Sequence, residues 1–422
     1  MMTEVYIIGA YSTEFKKYPD KSFRDSVRES YLGAINDAGM ANGDEIQFAY
    51  FGNCAMHLFG QVFGQGCIRG QICFIPLVRE GLFPERVPII NVEGACATGS
   101  MAIHCAWKDI LSGQSDVVLA LGVEKLFIPD DPAKTFSIFE GGADNFTREE
   151  TVDNYKELGK LIGQEFQTGG NRSFFMDTYG MQARYHMWKY GTTQRQLAMA
   201  ASITHHHGAL NPKAQLKIEM TQEQVLEDRL VSYPLTRAMC SPIGDGSAAV
   251  LMCSGDYLKN LPSDVQRRAV KIKASVFTGG KYKEFDEPSL CYIAAKKAYA
   301  MTSIKPADID VAEVHDATSF GIIYQAEMMG FCEMGKGGQF VESGGPSIEG
   351  ATPMNTSGGL VSKGHPVGAT GVSMIYELVT QLRGEAGPRQ IKNAEFAMQE
   401  NGGGVIGTEE AACSVMILQK DR

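Results

Sequence analysis

The stretch Asn91-Val-Glu-Gly-Ala-Cys96-Ala-Thr-Gly-Ser100 places one cysteine between a predicted strand and a predicted helix. Upstream, Val87-Pro-Ile-Ile90 has the short apolar pattern of a buried strand, and downstream, apolar residues recur at helical spacing from Met101 to Leu111. The free N–H groups and the positive dipole of a helix N-terminus stabilise a thiolate. Because the neighbouring residues are small, the sulfur remains accessible. We therefore predict that Cys96 is a nucleophile whose pKa is lowered.

Length and composition exclude several classes of protein. The chain has 422 residues, of which 44% are hydrophobic and 21% charged, and its formal net charge is −10. This length favours two domains or a duplicated unit over a single core. An acidic chain without a basic cluster argues against nucleic-acid binding. No apolar stretch reaches the length of a membrane span and no secretory signal is visible, so we expect a cytoplasmic protein that does not associate with membranes.

The ten cysteines form neither a CxxC pair nor a framework of regular spacing. We therefore expect no disulfide and no metal site within this chain. The run His205-His-His207 has no spaced acidic or cysteine partner, and we interpret it as the end of a helix.

An internal repeat indicates a duplicated fold. Ala97-Thr-Gly-Ser-Met101 and Ala369-Thr-Gly-Val-Ser-Met374 both open apolar helices after glycine-rich turns, and a hydrophobic strand follows each helix. The pattern predicts an α/β protein of two similar units, with sheets packed between helices. We assign residues 1–125 and 231–260 to the N-terminal half and 261–422 to the C-terminal half. Residues 126–230 form an inserted loop or lid domain, in which we expect 129–172 to be a mobile, irregular cover.

Three more turns carry groups that can act on a substrate. His365 follows Ser357-Gly-Gly-Leu-Val-Ser-Lys-Gly, His315 follows a short apolar strand, and the turn Asn401-Gly-Gly-Gly404 offers bare backbone N–H groups to an oxyanion. All lie at predicted strand ends or helix starts, where open α/β sheets place their sites. A thiol nucleophile, one or two histidines and a glycine turn predict acyl transfer through a thioester, without a metal or redox cofactor.

These blocks resemble the signature sequences of thiolases, and the resemblance covers the whole chain. The matching segments are Gly94–Ser100, His315-Asp-Ala-Thr318, Gly364-His365-Pro366 and the C-terminal glycine turn. Glu313-Val-His-Asp316 and 382–387 are similar to the sterol-carrier-protein type of thiolase and its bacterial and archaeal relatives. The resemblance implies two duplicated βαβαβαββ halves, arranged in five αβαβα layers, with an inserted loop domain.

The same resemblance implies roles for individual residues. Cys96 would accept the acyl group, His365 would activate its thiol and help to bind an oxyanion, and His315 would form part of the other oxyanion site. Coenzyme A would be a substrate whose pantetheine arm passes the backbone near Ser357 and Gly358. Asn401 and Gly403 would belong to the turn that supplies oxyanion and acid/base groups.

The chain departs from the thiolase pattern at the second catalytic cysteine. One usual position of that cysteine is held by Asn401 and the other by Ala317. Acid/base help of this kind is worth about 100-fold to 10,000-fold in rate, so a replacement is needed. Candidates are His365, His315, Glu400 or a bound water.

The implied function is a CoA-dependent C-acyltransferase that cleaves or forms a 3-oxoacyl-CoA. The most specific candidate substrate is 2-benzoylsuccinyl-CoA, cleaved to benzoyl-CoA and succinyl-CoA. The alternatives are an acetoacetyl-CoA thiolase, a C-acetyltransferase acting on a non-CoA nucleophile, and a non-catalytic scaffold. Cys96 argues against a retro-aldolase, which needs no nucleophilic thiol. The resemblance also implies a homodimer and a small zinc-ribbon and OB-fold partner protein.

Overall fold

A computed structural model describes residues 3–61, 64–169 and 172–421. Within these ranges the strands are β1 (Val5–Ser12), β2 (Phe48–Gly52), β3 (Ile89–Val92), β4 (Val117–Glu124), β5 (Leu230–Ser232), β6 (Leu235–Thr236), β7 (Gly246–Ser254), β8 (Val270–Gly279), β9 (Val311–Glu313), β10 (Phe396–Gly403) and β11 (Ala412–Lys420).

The α-helices of the same ranges are α1 (Phe23–Asp37), α2 (Arg69–Arg79), α3 (Thr98–Ser112), α4 (Pro132–Glu140), α5 (Arg148–Leu161), α6 (Phe174–Tyr190), α7 (Gln194–Leu210), α8 (Gln222–Glu227), α9 (Gly255–Leu258), α10 (Ser263–Arg268), α11 (Leu290–Ala300), α12 (Phe320–Met328), α13 (Gly337–Glu342) and α14 (Val367–Arg383). A 3₁₀ turn at Ala95–Ala97 precedes α3, and a π-helical turn at Gly359–Lys363 precedes α14.

The strand order confirms the predicted duplication. The main sheet runs β3-β2-β4-β7-β1-β8-β11-β10-β9. In the first half β2 is parallel to β4, and β7 is antiparallel to both β4 and β1. In the second half β9 is parallel to β10, and β11 is antiparallel to both β10 and β8. The two halves are joined where Tyr6 and Ile7 pair with Lys271 and Val270.

Strand β3 differs from its prediction as a buried strand. It pairs with β2 at the edge of the sheet, and Ile90 is 44% exposed. The side chains of an edge strand have a neighbouring strand on one side only, which leaves β3 more open than a central strand. In the second half, the equivalent position is a single parallel bridge between Ala312 and Met354.

The repeated Ala-Thr-Gly segments explain the middle layer of the fold. Helices α3 and α14 pack against each other, and their apolar faces share one core with β4, β7 and β11. A Cβ atom added to Gly99 would lie 2.9 Å from the backbone nitrogen of Val372, and one added to Gly371 would collide with Ser100. The two glycines of the repeat therefore allow the two helices to approach closely.

The outer layers complete the five-layer arrangement. Helices α1 and α2 cover the outer face of the first half, while α11 and α12 cover that of the second half. Helix α7, from the insertion, also packs on the second half. Across residues 3–61, 64–169 and 172–421, no helix is both long and apolar enough to span a membrane.

The insertion between β4 and β7 contains α4 to α8 and the β5–β6 hairpin. The segment 129–172, which is predicted to be a mobile cover, contains α4 and α5, so about half of it is helical. Helix α5 buries Thr151, Tyr155, Leu158 and Gly159 and leaves its other faces charged and open. Such a narrow apolar stripe gives a weak periodic signal in the sequence.

Candidate active site

Cys96 lies in the 3₁₀ turn between β3 and α3, close to its predicted position. The preceding residue, Ala95, has φ of 49°, which is uncommon for a residue with a side chain. The thiol of Cys54 donates a hydrogen bond to the Ala95 carbonyl oxygen at 3.4 Å. Strained backbone of this kind occurs at catalytic residues, where the surrounding fold supports it.

His365 is the direct partner of Cys96. Its Nε2 lies 3.2 Å from Cys96 Sγ, and its Nδ1 lies 2.7 Å from Thr370 Oγ1. The Thr370 hydroxyl donates its own hydrogen to the Pro366 carbonyl oxygen, so Oγ1 accepts from His365. This arrangement places the imidazole proton on Nδ1 and leaves the Nε2 lone pair directed at the thiol.

Burial sets the charge of this pair. It raises the pKa of Cys96 to about 12, although the backbone N–H groups of Gly404 and of Cys96 itself act in the opposite direction. Burial also holds the pKa of His365 well below its usual value. The resting pair is therefore a neutral thiol and a neutral imidazole, which corrects the prediction of a lowered Cys96 pKa. An attack by Cys96 would therefore require its proton to pass to His365.

His315 lies beside this pair. Its ring centroid is 5.4 Å from that of His365, and one atom each of Cys96, His315 and His365 lies within 4.8 Å of the others. Burial lowers the pKa of His315 to about 4, so its ring is neutral. Its buried Nε2 has no hydrogen-bond partner among the described residues. A neutral ring with an unused nitrogen is suited to bind a carbonyl oxygen.

The glycine turn packs directly on the backbone at Cys96. A Cβ atom added to Gly403 would collide with the backbone nitrogen of Ala97 and would lie 2.9 Å from that of Cys96.

Asn401 takes a different position from the one that an acid/base group needs. Its Oδ1 accepts a hydrogen bond from Ser100 Oγ at 2.8 Å, and its side chain does not line the cavity at Cys96.

Glu400 binds the main chain of His315 and does not line the cavity at Cys96. Its Oε2 accepts the backbone N–H of His315 at 3.0 Å, and its Oε1 accepts from the thiols of Cys291 at 3.3 Å and Cys413 at 3.5 Å. Burial, followed by the charge of Glu410, raises the pKa of Glu400 to about 8. Since Glu400 does not line the cavity, its direct role is to hold the His315 main chain.

A cavity of about 1150 Å³ opens onto Cys96 and His365. Ala317 lines it, as do apolar and aromatic side chains of the insertion, among them Phe139, Phe175, Met176 and Tyr179. Four basic side chains also line it, namely Lys17, Arg172, Arg229 and Arg237. Arg172, Phe175, Met176 and Tyr179 are close together in the sequence, whereas the other lining residues are scattered along the chain and share no motif.

Ser357 and Gly358 do not line this cavity, in contrast to their predicted place on a CoA path. The Ser357 backbone N–H and hydroxyl donate to the Glu313 carboxylate at 3.1 and 2.7 Å. A Cβ atom on Gly358 would lie 2.6 Å from Gly208 Cα. Both residues serve packing between α7 and the second half, because their small size permits this close contact.

The three consecutive histidines end α7 and point to different partners. His205 Nε2 contacts the Ala238 carbonyl oxygen, His207 Nδ1 contacts that of Asn355, and exposed His206 pairs with Glu219. They therefore do not converge on one point.

The family follows from comparison with known proteins. Residues 5–256 match the family described as thiolase, N-terminal domain, and residues 285–420 match thiolase C-terminal domain-like. The chain belongs to the thiolase family. It is an acyltransferase of the thiolase type, with coenzyme A as a substrate.

Two relatives cover almost all of this chain. The acetyl-CoA acetyltransferase of Methanothermobacter thermautotrophicus is 37% identical over 412 residues, which are 96% of this chain and 98% of that protein. Sterol carrier protein 2 of Oryctolagus cuniculus is 32% identical over 418 residues, covering 96% of this chain and 72% of that protein.

Two solved structures show the same fold at lower identity. The Ltp2-ChsH2(DUF35) aldolase has a TM-score of 0.75 at 20% identity and covers 99% of this chain and 98% of that chain. Human mitochondrial 3-ketoacyl-CoA thiolase in complex with CoA has a TM-score of 0.66 at 17% identity, with both chains fully covered.

Proposed function

We propose that the protein cleaves or forms a 3-oxoacyl-CoA through an acyl group carried by Cys96. The main support for this proposal is the 3.2 Å contact between Cys96 Sγ and His365 Nε2 at the cavity. In the cleavage direction, Sγ attacks the 3-oxo carbon while the thiol proton passes to His365. The bond between carbons 2 and 3 then breaks, and an acyl-CoA enolate leaves. Free coenzyme A takes the acyl group from Cys96.

Two sets of donors could stabilise the negative oxygen atoms of this reaction. The backbone N–H groups of Cys96 and Gly404 approach the sulfur, so they are placed for the oxygen of an acyl group bound there. His315 and protonated His365 offer ring N–H groups for the thioester oxygen of the enolate. Preorganised donors of this kind are each worth about 100-fold to 1000-fold in rate.

The first substrate to test is acetoacetyl-CoA, because the archaeal relative is an acetyl-CoA acetyltransferase. The size of the cavity and its Phe139, Phe175 and Met176 lining favour a second candidate with a larger acyl group. This class includes the predicted 2-benzoylsuccinyl-CoA, which none of the comparisons names. Among the basic residues at the cavity, Arg229 and Lys17 are our candidates for the phosphates of coenzyme A.

The test is CoA-dependent cleavage of a panel of 3-oxoacyl-CoA esters by the purified chain, with and without added partner candidates. We expect turnover of at least one ester, and near-total loss of turnover in Cys96→Ser. Wild-type turnover in the Cys96→Ser protein would contradict the proposed mechanism. Acyl transfer to a phenol without added coenzyme A would instead favour the non-CoA acceptor.

We also propose a homodimer formed through the N-terminal half. The edge strand β3, with Ile90 44% exposed, and the nearby Ile68, 56% exposed, support this surface as an interface. The mass in solution tests the proposal: we expect a dimer that weakens in Ile90→Lys, and a monomeric wild type would contradict it.

We also propose a small zinc-ribbon and OB-fold partner, supported by the structural similarity to the Ltp2-ChsH2(DUF35) aldolase, whose name joins two components. Co-purification of a zinc-containing protein with a tagged chain from its native cells would support the partner, and the absence of such a protein would contradict it.

We place the protein in the cytoplasm, because all ten cysteines are free thiols and a reducing compartment maintains this state.

A further inference from the structure

The enolate that leaves during cleavage must gain a proton on carbon 2. The two usual cysteine positions hold Ala317 and Asn401, and the Asn401 side chain is bonded to Ser100 away from the cavity. Glu400 does not reach the cavity either. His365 holds the proton of Cys96, His315 is a neutral ring, and the cavity thiols of Cys54 and Cys240 donate to the carbonyl oxygens of Ala95 and Thr236. We therefore look for another side chain with an acidic hydrogen that lines the cavity near Cys96.

Tyr179 of α6 has the required position. It lines the cavity together with Cys96, His365 and Ala317. Its ring packs on a small apolar cluster formed by Ala317, Leu360 and Met374. Tyr179 thus packs against the cluster that contains Ala317, the residue at the position of the cysteine of the sterol-carrier-protein type.

The hydroxyl of Tyr179 is free for a substrate. It forms no hydrogen bond with any other residue in the described part of the chain, whereas the hydroxyls of Tyr155 and Tyr185 bond to Gln182 and Asp286. The hydroxyl of a largely buried tyrosine usually has a partner. An unpaired hydroxyl on the wall of a catalytic cavity therefore indicates a group that meets its partner in the bound substrate.

We propose that Tyr179 is the acid that protonates the departing acyl-CoA enolate, in place of the second catalytic cysteine. This inference rests on the proposed function. The side chain of Ala317 is smaller than that of cysteine, which leaves more room for the ring of Tyr179 at this position.

The protons balance over a complete cycle. The Cys96 thiol proton passes to His365 as the carbon–sulfur bond forms, and the Tyr179 hydroxyl proton passes to carbon 2 as the carbon–carbon bond breaks. Protonated His365 then returns a proton to the Tyr179 phenolate through water, and incoming coenzyme A gives its thiol proton to His365 as it attacks the acyl group. Cys96 leaves as a thiolate and regains its proton from His365. The cycle consumes no oxidant, reductant or further reactant.

The surroundings of Tyr179 keep it in the acid form. Burial has the largest effect on the pKa of Tyr179, and the negative charges of Cys96 and Glu410 act in the same direction. Together they hold this pKa well above the usual value for tyrosine. Its hydroxyl is therefore protonated when substrate binds. A thioester enolate is a much stronger base than a phenolate, so proton transfer from tyrosine to carbon is favourable in the cleavage direction.

Tyr179→Phe tests the inference, because phenylalanine keeps the ring packing against Ala317 and removes only the hydroxyl. Two reactions are compared in the full-length protein. The first is cleavage of a 3-oxoacyl-CoA, which needs the carbon acid. The second is exchange of labelled coenzyme A into an acyl-CoA, which needs Cys96 and His365 but breaks no carbon–carbon bond. Tyr185→Phe on the same helix is the matched control, since Tyr185 does not line the cavity.

We expect Tyr179→Phe to lower cleavage by about 100-fold to 10,000-fold while CoA exchange stays within a few-fold of wild type. Tyr185→Phe should leave both rates unchanged. Wild-type cleavage by Tyr179→Phe would overturn the role of Tyr179, and so would an equal loss of both reactions in a folded variant. If the wild-type protein itself catalyses neither reaction, the proposed function fails, and this result is distinct from the failure of Tyr179 alone.

Discussion

Thr370 determines which nitrogen of His365 can accept the Cys96 proton, and Thr370→Val removes that control. Valine has nearly the same shape as threonine but cannot accept the Nδ1 proton that now lies 2.7 Å from Oγ1. The Pro366 carbonyl oxygen, which accepts the threonine hydroxyl, still receives the backbone N–H groups of residues 369 and 370 at 2.8 and 3.1 Å. The substitution therefore leaves the turn at the start of α14 satisfied.

The size of the effect follows from the burial of His365. A buried donor that loses its acceptor costs about 1–3 kcal/mol. In Cys96 attack, His365 becomes positively charged, and the bond from Nδ1–H is then stronger than in the resting state. If the whole loss appears in the transition state, acylation slows by about 5-fold to 150-fold, since about 1.4 kcal/mol corresponds to tenfold in rate.

The assay is the rate of Cys96 acylation by a substrate thioester, measured by rapid quenching and peptide mass spectrometry. Thr370→Ser is the matched control, because serine keeps the hydroxyl, and it should react within a few-fold of wild type. Circular dichroism and thermal unfolding establish that each variant is folded. Acylation of Thr370→Val at the wild-type rate would refute the assigned tautomer and the role of Thr370.

Three further predictions concern other parts of the site. Gly403→Ala should abolish acylation, because the added Cβ collides with the backbone at Cys96; an active, folded variant would contradict this packing. The pKa of Glu400 is raised from 4.5 to about 8 in the folded protein, so the native state holds this proton more tightly than the unfolded state and stability falls as pH rises through that range. Glu400→Gln cannot ionise, so urea unfolding at several pH values should show a smaller loss of stability; an unchanged pH slope would contradict the raised pKa. Arg229→Ala should raise the KM for coenzyme A by about 10-fold to 150-fold with little change in kcat if the arginine binds a phosphate, as for a charged hydrogen bond of about 1.5–3 kcal/mol; an unchanged KM would exclude that contact.

The duplication was predictable because it is written in a local repeat. The Ala-Thr-Gly segments before α3 and α14 recur for a physical reason: the two helices meet where any residue larger than glycine would collide. The predicted strand ends also placed Cys96 and His365 correctly enough to suggest that they meet. Neighbouring strand ends in an α/β sheet converge on one edge, so residues far apart in sequence become close.

The charge state and the cavity wall were not predictable in the same way. The helix N-terminus suggested a thiolate at Cys96, but the opposing effect of burial depends on how the insertion and both halves close around the sulfur. Ser357 and Gly358 were placed on a substrate path because they are small, whereas their size serves packing against α7. Nothing in the sequence separates Tyr179 from the other aromatic residues of α6, whereas its place at the cavity and its packing against the cluster with Ala317 do so in the structure.

The most direct test of the proposed role of Cys96 is to identify the residue that becomes acylated. The purified protein is incubated with acetyl-CoA and acetoacetyl-CoA, quenched in acid, digested and analysed by mass spectrometry. We expect one thioester-linked acyl group on the peptide that contains Cys96, and no such group in Cys96→Ser. Acylation of a different residue, such as the neighbouring Cys54, or the absence of any acyl group with every thioester tried, would contradict it.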